Sequence, residues 1–263
     1  MNNYFISNQK LWNNNVPHHA KSDFYQMEAF KKGANTLKAI ELDALGDVSG
    51  KRILHLQCHF GQDSLSFARM GAKVTGVDFS EKAIQLAREL NQELNLDANF
   101  VYSNVLELPQ NLEGQFDIVF TSYGVICWLD NLNKWAEVIN HFLVPGGTFY
   151  IAEFHPMLMM FNFDEHKMKY DYFNQGNPYL EIAEGSYAND DTSVKNDEYT
   201  WSHSIHEIMT PLIQQGLIVE DFQEFPYSPY DCFADMKKVG EDQFVYNFPV
   251  AIPHIFSLKM KKS

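Results

Sequence analysis

Between residues 52 and 153, short apolar runs alternate with stretches of helical period, and this alternation restricts the fold more than any other feature of the chain. The short apolar run at 52–57 and those at 72–77, 99–102, 116–121 and 148–153, which carry β-branched or aromatic residues, read as strands. Ser80 is the expected N-cap of an intervening helix, with Glu81 in the first turn facing the positive helix end. Ala83, Ala87, Leu90 and Leu94 lie on one face of it. Asp130 or Asn131 caps a second helix carrying Leu132, Trp135, Ile139 and Phe142, and Pro145-Gly146-Gly147 forces a turn before the fifth strand. Strands alternating with helices build βαβ units, hence a parallel sheet whose right-handed crossovers place helices on both faces. In such α/β sheets ligands bind at the carboxyl ends of the strands. Here that edge carries 58–61, Asp78-Phe79, Asn104-Val105, Ser122-Tyr123 and Phe154-His155.

The flanks divide the chain further. Residues 1–50 read as an N-terminal arm and helix forming part of a lid, 51–154 as the core, 155–200 as an insertion, and 201–263 as a closing helix and hairpin. Residues 1–25 show no period, whereas Met27, Phe30, Ala34, Leu37 and Ile40 predict one amphipathic helix over 27–45, weakened by Gly33. The insertion is rich in Met, Phe, Tyr, Asn and Asp, and its length suits a substrate lid. Ser204 and Glu207 have capping-box spacing, Pro211 should kink or shorten the helix they start, and Gly216 ends it. A sixth strand over 217–225 and a seventh over 248–260, antiparallel to the sixth, complete the sheet.

Composition removes several function classes. Twenty Lys and Arg against 34 Asp and Glu leave a net charge of −14, which argues against a nucleic-acid partner. Cys58, Cys127 and Cys232 have neither disulfide-framework nor metal-ligand spacing, which suits a reducing compartment. The first residues lack a basic segment followed by an apolar one, and no apolar run reaches the roughly 18 residues of a membrane helix, so a cytoplasmic protein without a membrane partner is expected.

The segments Ile53-Leu-His-Leu-Gln-Cys-His-Phe-Gly61 and Val74-Thr-Gly-Val-Asp78-Phe-Ser resemble the first two motifs of class I S-adenosylmethionine-dependent methyltransferases. The resemblance continues, in the family's order and spacing, through Asn104, Phe116–Gly124 and Leu143–Tyr150. It implies a Rossmann-like seven-stranded sheet, mostly parallel with an antiparallel C-terminal hairpin. S-adenosyl-L-methionine is then the cofactor, S-adenosyl-L-homocysteine the product, and a small molecule the methyl acceptor.

The first loop departs from the family's usual pattern, which has an acidic residue at the position of His55 and glycines at those of Gln57 and His59. Cys58, Gly61 and the loop length match, and a bacterial subgroup has a similar His-Leu-Gln-Cys-His-Phe-Gly loop. Glycine permits close backbone approach and φ > 0, so Gln57 and His59 are expected to substitute side-chain donors toward the cofactor carboxylate. Asp78, 17 residues after Gly61, is the expected partner of both ribose hydroxyls. The resemblance further places Phe79 against adenine. It gives Asn104 and the Val105 amide to the adenine edge, and Ser122 and Tyr123 to the methionine portion.

Methyl transfer from a sulfonium needs alignment and exclusion of water, and a base only where the acceptor must lose a proton early. His155, just past the fifth strand, is the candidate base or substrate contact. His203 and His206 are lesser candidates, and Trp12, Phe24, Tyr25 and His203 are expected to meet the substrate. The pairs His18-His19 and His203-x-x-His206 bring no third ligand, so no metal is expected. A non-catalytic cofactor-binding or regulatory member of the same fold is the alternative. A nicotinamide-dependent oxidoreductase is disfavoured because the first loop has one glycine rather than G-x-G-x-x-G. No motif here specifies the acceptor or the oligomeric state.

Overall fold

A computed structural model describes residues 3–188 and 195–263. Strands β1 (Arg52–Leu56), β2 (Lys73–Asp78), β3 (Ala98–Tyr102), β4 (Phe116–Ser122), β5 (Leu143–Phe154), β6 (Leu217–Phe225) and β7 (Ile255–Lys262) form one sheet in the order β6-β7-β5-β4-β1-β2-β3. β1 pairs in parallel with both β2 and β4, and β4 in parallel with β5, while β7 runs antiparallel to β5 and β6. Strand order therefore reverses between β1 and β4, which opens a crevice at their carboxyl ends.

Ile53, Leu54 and Leu56 are wholly buried, as the continuous apolar run of a strand covered on both faces requires. Helix α6 (Leu132–Phe142) and α8 (Ile205–Gln214) bury Trp135, Ile139, Phe142, Ile208 and Leu212 on one face. On the other, Phe67 of α4 (Gln62–Arg69) packs with Ile53, Phe120 and Tyr150. Helix α5 (Glu81–Glu93) closes the edge through Ala83, Ala87 and Leu90 on Phe100. The caps are as read: Ser80 accepts from the Ala83 amide, Asn131 from the Lys134 amide, and Ser204 and Glu207 form a reciprocal box.

Five expectations change. The aperiodic N-terminus is a helix, α1 (Asn3–His19), held down by side-chain amides rather than by an apolar stripe. Asn8 exchanges two hydrogen bonds with the Tyr199 backbone (2.7 and 2.9 Å), Gln9 donates to the Phe79 carbonyl, and Asn13 accepts from Ser80 and the Lys82 amide. A helix bound by hydrogen bonds leaves no hydrophobic period to find. The single helix expected over 27–45 is broken into α2 (Met27–Lys31) and α3 (Ala39–Leu45), because Gly33 turns the chain at φ +108° and Thr36 bonds Asp63 and Ser66 instead.

Pro145-Gly146-Gly147 does not precede the fifth strand but lies inside it. Phe116 pairs with Leu143 and Ile118 with Thr148, so residues 144–147 loop out opposite Asp117. Pro211 does not shorten α8; it is buried inside the helix, which runs to Gln214 with Gly216 (φ +84°) just beyond. The last strand starts at Ile255 rather than Phe248, since Pro249 and Pro253 cannot donate to a ladder. Thus β6 and β7 are neighbours without a tight turn. Residues 226–254 join them and carry their own small hairpin, Lys237–Gly240 with Gln243–Val245. The 155–200 insertion begins with the one-turn helix α7 (Pro156–Met159) and includes a hairpin, Tyr179–Glu184 paired with Lys195–Thr200.

Candidate active site

The loop after β1 supplies the floor of the crevice. Gln57, His59 and Gly61 all have positive φ (+56°, +50° and +79°), so two non-glycine residues adopt the left-handed backbone that glycine would take without strain. The loop therefore keeps a glycine loop's path while adding two side chains. At Gly61 no side chain fits, because a Cβ would lie 2.6 Å from the Phe100 ring. Gln57 donates to the Val125 carbonyl (2.9 Å) and so ties this loop to the one after β4.

Asp78 ends β2 with its carboxylate turned back under this loop. One oxygen accepts from the His59 amide and the other from the Ser80 amide, both at 2.8 Å. Each oxygen keeps a lone pair for a further donor. Burial pushes the carboxyl up to about 6, against the pull of these amides. Phe79, in contact with Phe5 of α1 (5.2 Å between centroids), shares with Asp78, Asn104, Val105 and Leu129 a cavity of about 420 Å³. Asn104 caps the turn after β3 by accepting from the Leu106 amide (3.0 Å), which uses one of its oxygen's two lone pairs.

A second cavity, about 1380 Å³, adjoins the first through Gln57, Asp78, Phe79, Trp128 and Trp201. Trp12, Phe24, Tyr25, Ser122, Tyr123 and His203 all line it, so residues far apart in sequence meet as expected. Trp12 contacts the His59 and Trp128 rings at 5.2 and 5.3 Å. Its Nε1 is buried without a hydrogen-bond partner among the described residues, as are Gln57 Oε1 and His59 Nδ1. Tyr123 turns at φ +26° and donates to Glu41 (2.9 Å). The Ser122 hydroxyl makes only a long contact, 3.5 Å, with Asp63. His203 Nε2 donates to the Leu129 carbonyl (2.7 Å), which can only accept, so Nε2 carries the proton.

His155 is not part of this site. Its Nδ1 accepts from the Met157 amide (3.1 Å) and its Nε2 faces Glu224 of β6 (3.0 Å); it caps α7 and does not line either cavity. The position at the end of β5 was right, but the ring points away from the crevice. Cys58 and Cys127 are thiols that burial holds protonated, consistent with packing rather than nucleophilic roles. Among the described residues no group of three His, Cys, Asp or Glu is placed to hold a metal ion, and no helix is long and apolar enough to cross a membrane.

Several residues at the site carried no local signal. Glu153, at the end of β5, accepts from the amides of Gly124, Val125 and Ile126 and thereby shapes the loop after β4. A lone acid closing an apolar strand was its only trace. His19 bridges His59 (3.1 Å) and Ser186 (2.8 Å), linking α1, the first loop and the insertion. Burial, with His18 beside it, pushes His19 down to about 4, so the imidazole is neutral at physiological pH. Tyr230, Cys232 and Phe233 reach the large cavity from the 226–254 connection.

Residues 53–147 match the family model of a methyltransferase domain. A demethylmenaquinone methyltransferase from Lactococcus lactis is 31% identical over 147 residues, which are 53% of this chain and 58% of that protein. A ubiquinone biosynthesis O-methyltransferase from Bordetella pertussis is 38% identical over 77 residues, 29% of this chain and 32% of that one. The chain thus spans less than two thirds of the length of either relative. Among solved structures, a putative S-adenosylmethionine-dependent methyltransferase from Listeria monocytogenes superposes with a TM-score of 0.59 at 17% identity, over 85% of this chain and 96% of that one. The chain therefore shares the fold of that structure, and the similarity to the methyltransferase-domain model is confined to residues 53–147.

Proposed function

We propose that this chain transfers a methyl group from S-adenosylmethionine to a small-molecule acceptor. The observation that carries the reading is the left-handed path of Gln57, His59 and Gly61 over a buried Asp78, where the two cavities meet. The family model and the names of the two quinone-pathway relatives support the reaction and the small size of the acceptor.

The residues present fit the cofactor. Gln57 Oε1 is a buried acceptor lacking a donor, which suits an ammonium group, and Trp12 Nε1 is a buried donor lacking an acceptor, which suits a carboxylate. Asp78 has one lone pair left on each oxygen for the two ribose hydroxyls. Phe79 and the Val105 amide, with the remaining lone pair of Asn104, suit the adenine in the smaller cavity.

When bound, the cofactor supplies a methyl carbon already activated by its sulfonium. The chain's share is then alignment and exclusion of water. Gln57 and Glu153 fix the loops after β1 and β4 relative to each other, and the amides of 124–126 are locked by the Glu153 carboxylate. Trp12 of α1 and Tyr187 of the insertion cover the crevice. His203, with its proton held by Leu129, presents Nδ1 toward Asn174 and the cavity (3.4 Å). No histidine here is assigned the work of a base.

Calorimetric titration of the purified chain with S-adenosylmethionine, S-adenosylhomocysteine and NADH tests the proposal, followed by an acceptor screen read out by S-adenosylhomocysteine release. Binding of both sulfur nucleosides and turnover of at least one acceptor is expected. Binding of NADH with no affinity for either nucleoside overturns it.

A further inference from the structure

The hairpin Tyr179–Glu184/Lys195–Thr200 is built inside out. Its register sets Tyr179 opposite Thr200 and Glu181 opposite Glu198. Because side chains alternate between faces, these four share one face, and all four line the large cavity. The other face carries Leu180 and Ile182, which are 57% and 63% exposed. A hairpin folded for stability alone would turn the aliphatic face inward and the carboxylates to water.

The two inward carboxylates are not equivalent. Glu181 accepts from Lys169 (2.7 Å) and from the Tyr170 hydroxyl (2.8 Å). Glu198 has no hydrogen-bond or ion-pair partner among the described residues, although like charges directly opposite across strands destabilise the pair. Burial, and then Glu181, push its carboxyl up to about 7, as expected for an acid lacking a counter-charge. Tyr170, Tyr179 and Trp201 line the same cavity as Glu198. Over the whole cavity, nine carboxylates and two lysines are among the described lining residues. One of these lysines, Lys38, is already paired with Asp242 (3.1 Å).

On the methyltransferase reading, which this inference presupposes, we infer that the acceptor carries a cationic nitrogen, an ammonium or a comparable organic cation, held by Glu198 within the tyrosine and tryptophan wall of the hairpin. A cation there supplies the missing partner of Glu198, separates it electrostatically from Glu181, and gains the faces of the surrounding rings. A neutral quinone or phenol would leave the carboxylate buried and unpaired. A cationic acceptor would differ in chemistry from a quinone such as the one in the Lactococcus lactis relative's name.

The test uses the full chain saturated with S-adenosylhomocysteine and three probes of one shape: 2-phenylethylammonium, 3-phenylpropionate and 2-phenylethanol. Tryptophan fluorescence or calorimetry should show the ammonium bound about tenfold or more tighter than either of the others. Glu198→Gln should abolish that preference and leave S-adenosylhomocysteine affinity unchanged, while Glu198→Asp retains part of it. Equal or tighter binding of the propionate or the alcohol, no saturable binding of the ammonium, or an undiminished preference in Glu198→Gln overturns the inference. If S-adenosylhomocysteine itself does not bind, the methyltransferase reading fails separately. The same three probes on the nucleoside-free chain then still decide whether the hairpin face selects a cation.

Discussion

On the proposed function, the donor side and the acceptor side of the crevice are built on different principles. Around the donor, function sits in the backbone: positive φ at Gln57, His59 and Gly61, amides aimed at Asp78, and amides of 124–126 aimed at Glu153. Around the acceptor cavity, function sits in side chains brought from four separated segments, namely α1, the residues after it, the insertion and the 226–254 connection. Backbone geometry fixed by a sheet edge tolerates few substitutions but leaves the side chains free. Side-chain walls on irregular segments can be recomposed without disturbing the sheet. A chain can then match a methyltransferase-domain model over 53–147 while its cavity walls are composed independently.

The sharpest way to break this contrast is at Asp78. Asp78→Asn removes a charge that two ribose hydroxyls would bond, and should weaken S-adenosylhomocysteine binding roughly 100- to 1000-fold by calorimetry, while 2-phenylethylammonium binding changes little. An equal loss for both ligands would mean the two sides are not separable.

Gly61→Ala tests the backbone principle without touching a charge. A Cβ 2.6 Å from the Phe100 ring at φ +79° should destabilise the fold by about 2–4 kcal/mol in urea unfolding. A loss under about 0.5 kcal/mol would show that the loop has room to move.

Protonation separates the sides as well. Burial raises Asp78 from 3.8 to about 6, so ionised Asp78, the form that accepts hydroxyl donors, is present above that pH. S-adenosylhomocysteine affinity should fall about tenfold per pH unit below about 6. Behind the larger cavity, where Glu41 of α3 accepts from Tyr123, burial and then Asp63 raise its carboxyl from 4.5 to about 8. Its contribution to stability is full below 4.5 and is lost progressively as pH rises from there to about 8, so wild type should lose stability between about pH 5 and 8 and level off above that. Glu41→Gln cannot ionise at this position, and its thermal midpoint should fall less steeply than wild type over that window; a parallel decline in both proteins contradicts the assignment.

The smallest expected effect is at His155. His155→Ala should leave methyl transfer unchanged at every pH while reducing stability by about 1–2 kcal/mol through loss of the α7 cap and the Glu224 pair. A selective loss of turnover would return this histidine to the reaction.

Legibility in the sequence follows the same division. Strands β1 to β5, the caps Ser80, Asn131 and Ser204, and the place of Asp78 could be read because each depends on neighbours within a few residues. Periodicity failed at α1, whose attachment is through Asn8, Gln9 and Asn13, and at 27–45, where Thr36 prefers Asp63 to a helical turn. For His155, chain position gave the height along the sheet but not the direction of the ring, which Met157 and Glu224 set. Glu198 was invisible because its meaning depends on its partner across the hairpin, and that register is not written locally.

A crystal structure with S-adenosylhomocysteine addresses the central claim most directly. The account predicts both ribose hydroxyls within hydrogen-bond distance of the two Asp78 oxygens, the adenine between Phe79 and Leu129, and the thioether opening toward the larger cavity. A nucleoside bound elsewhere, or lying along this rim without touching Asp78, would contradict it.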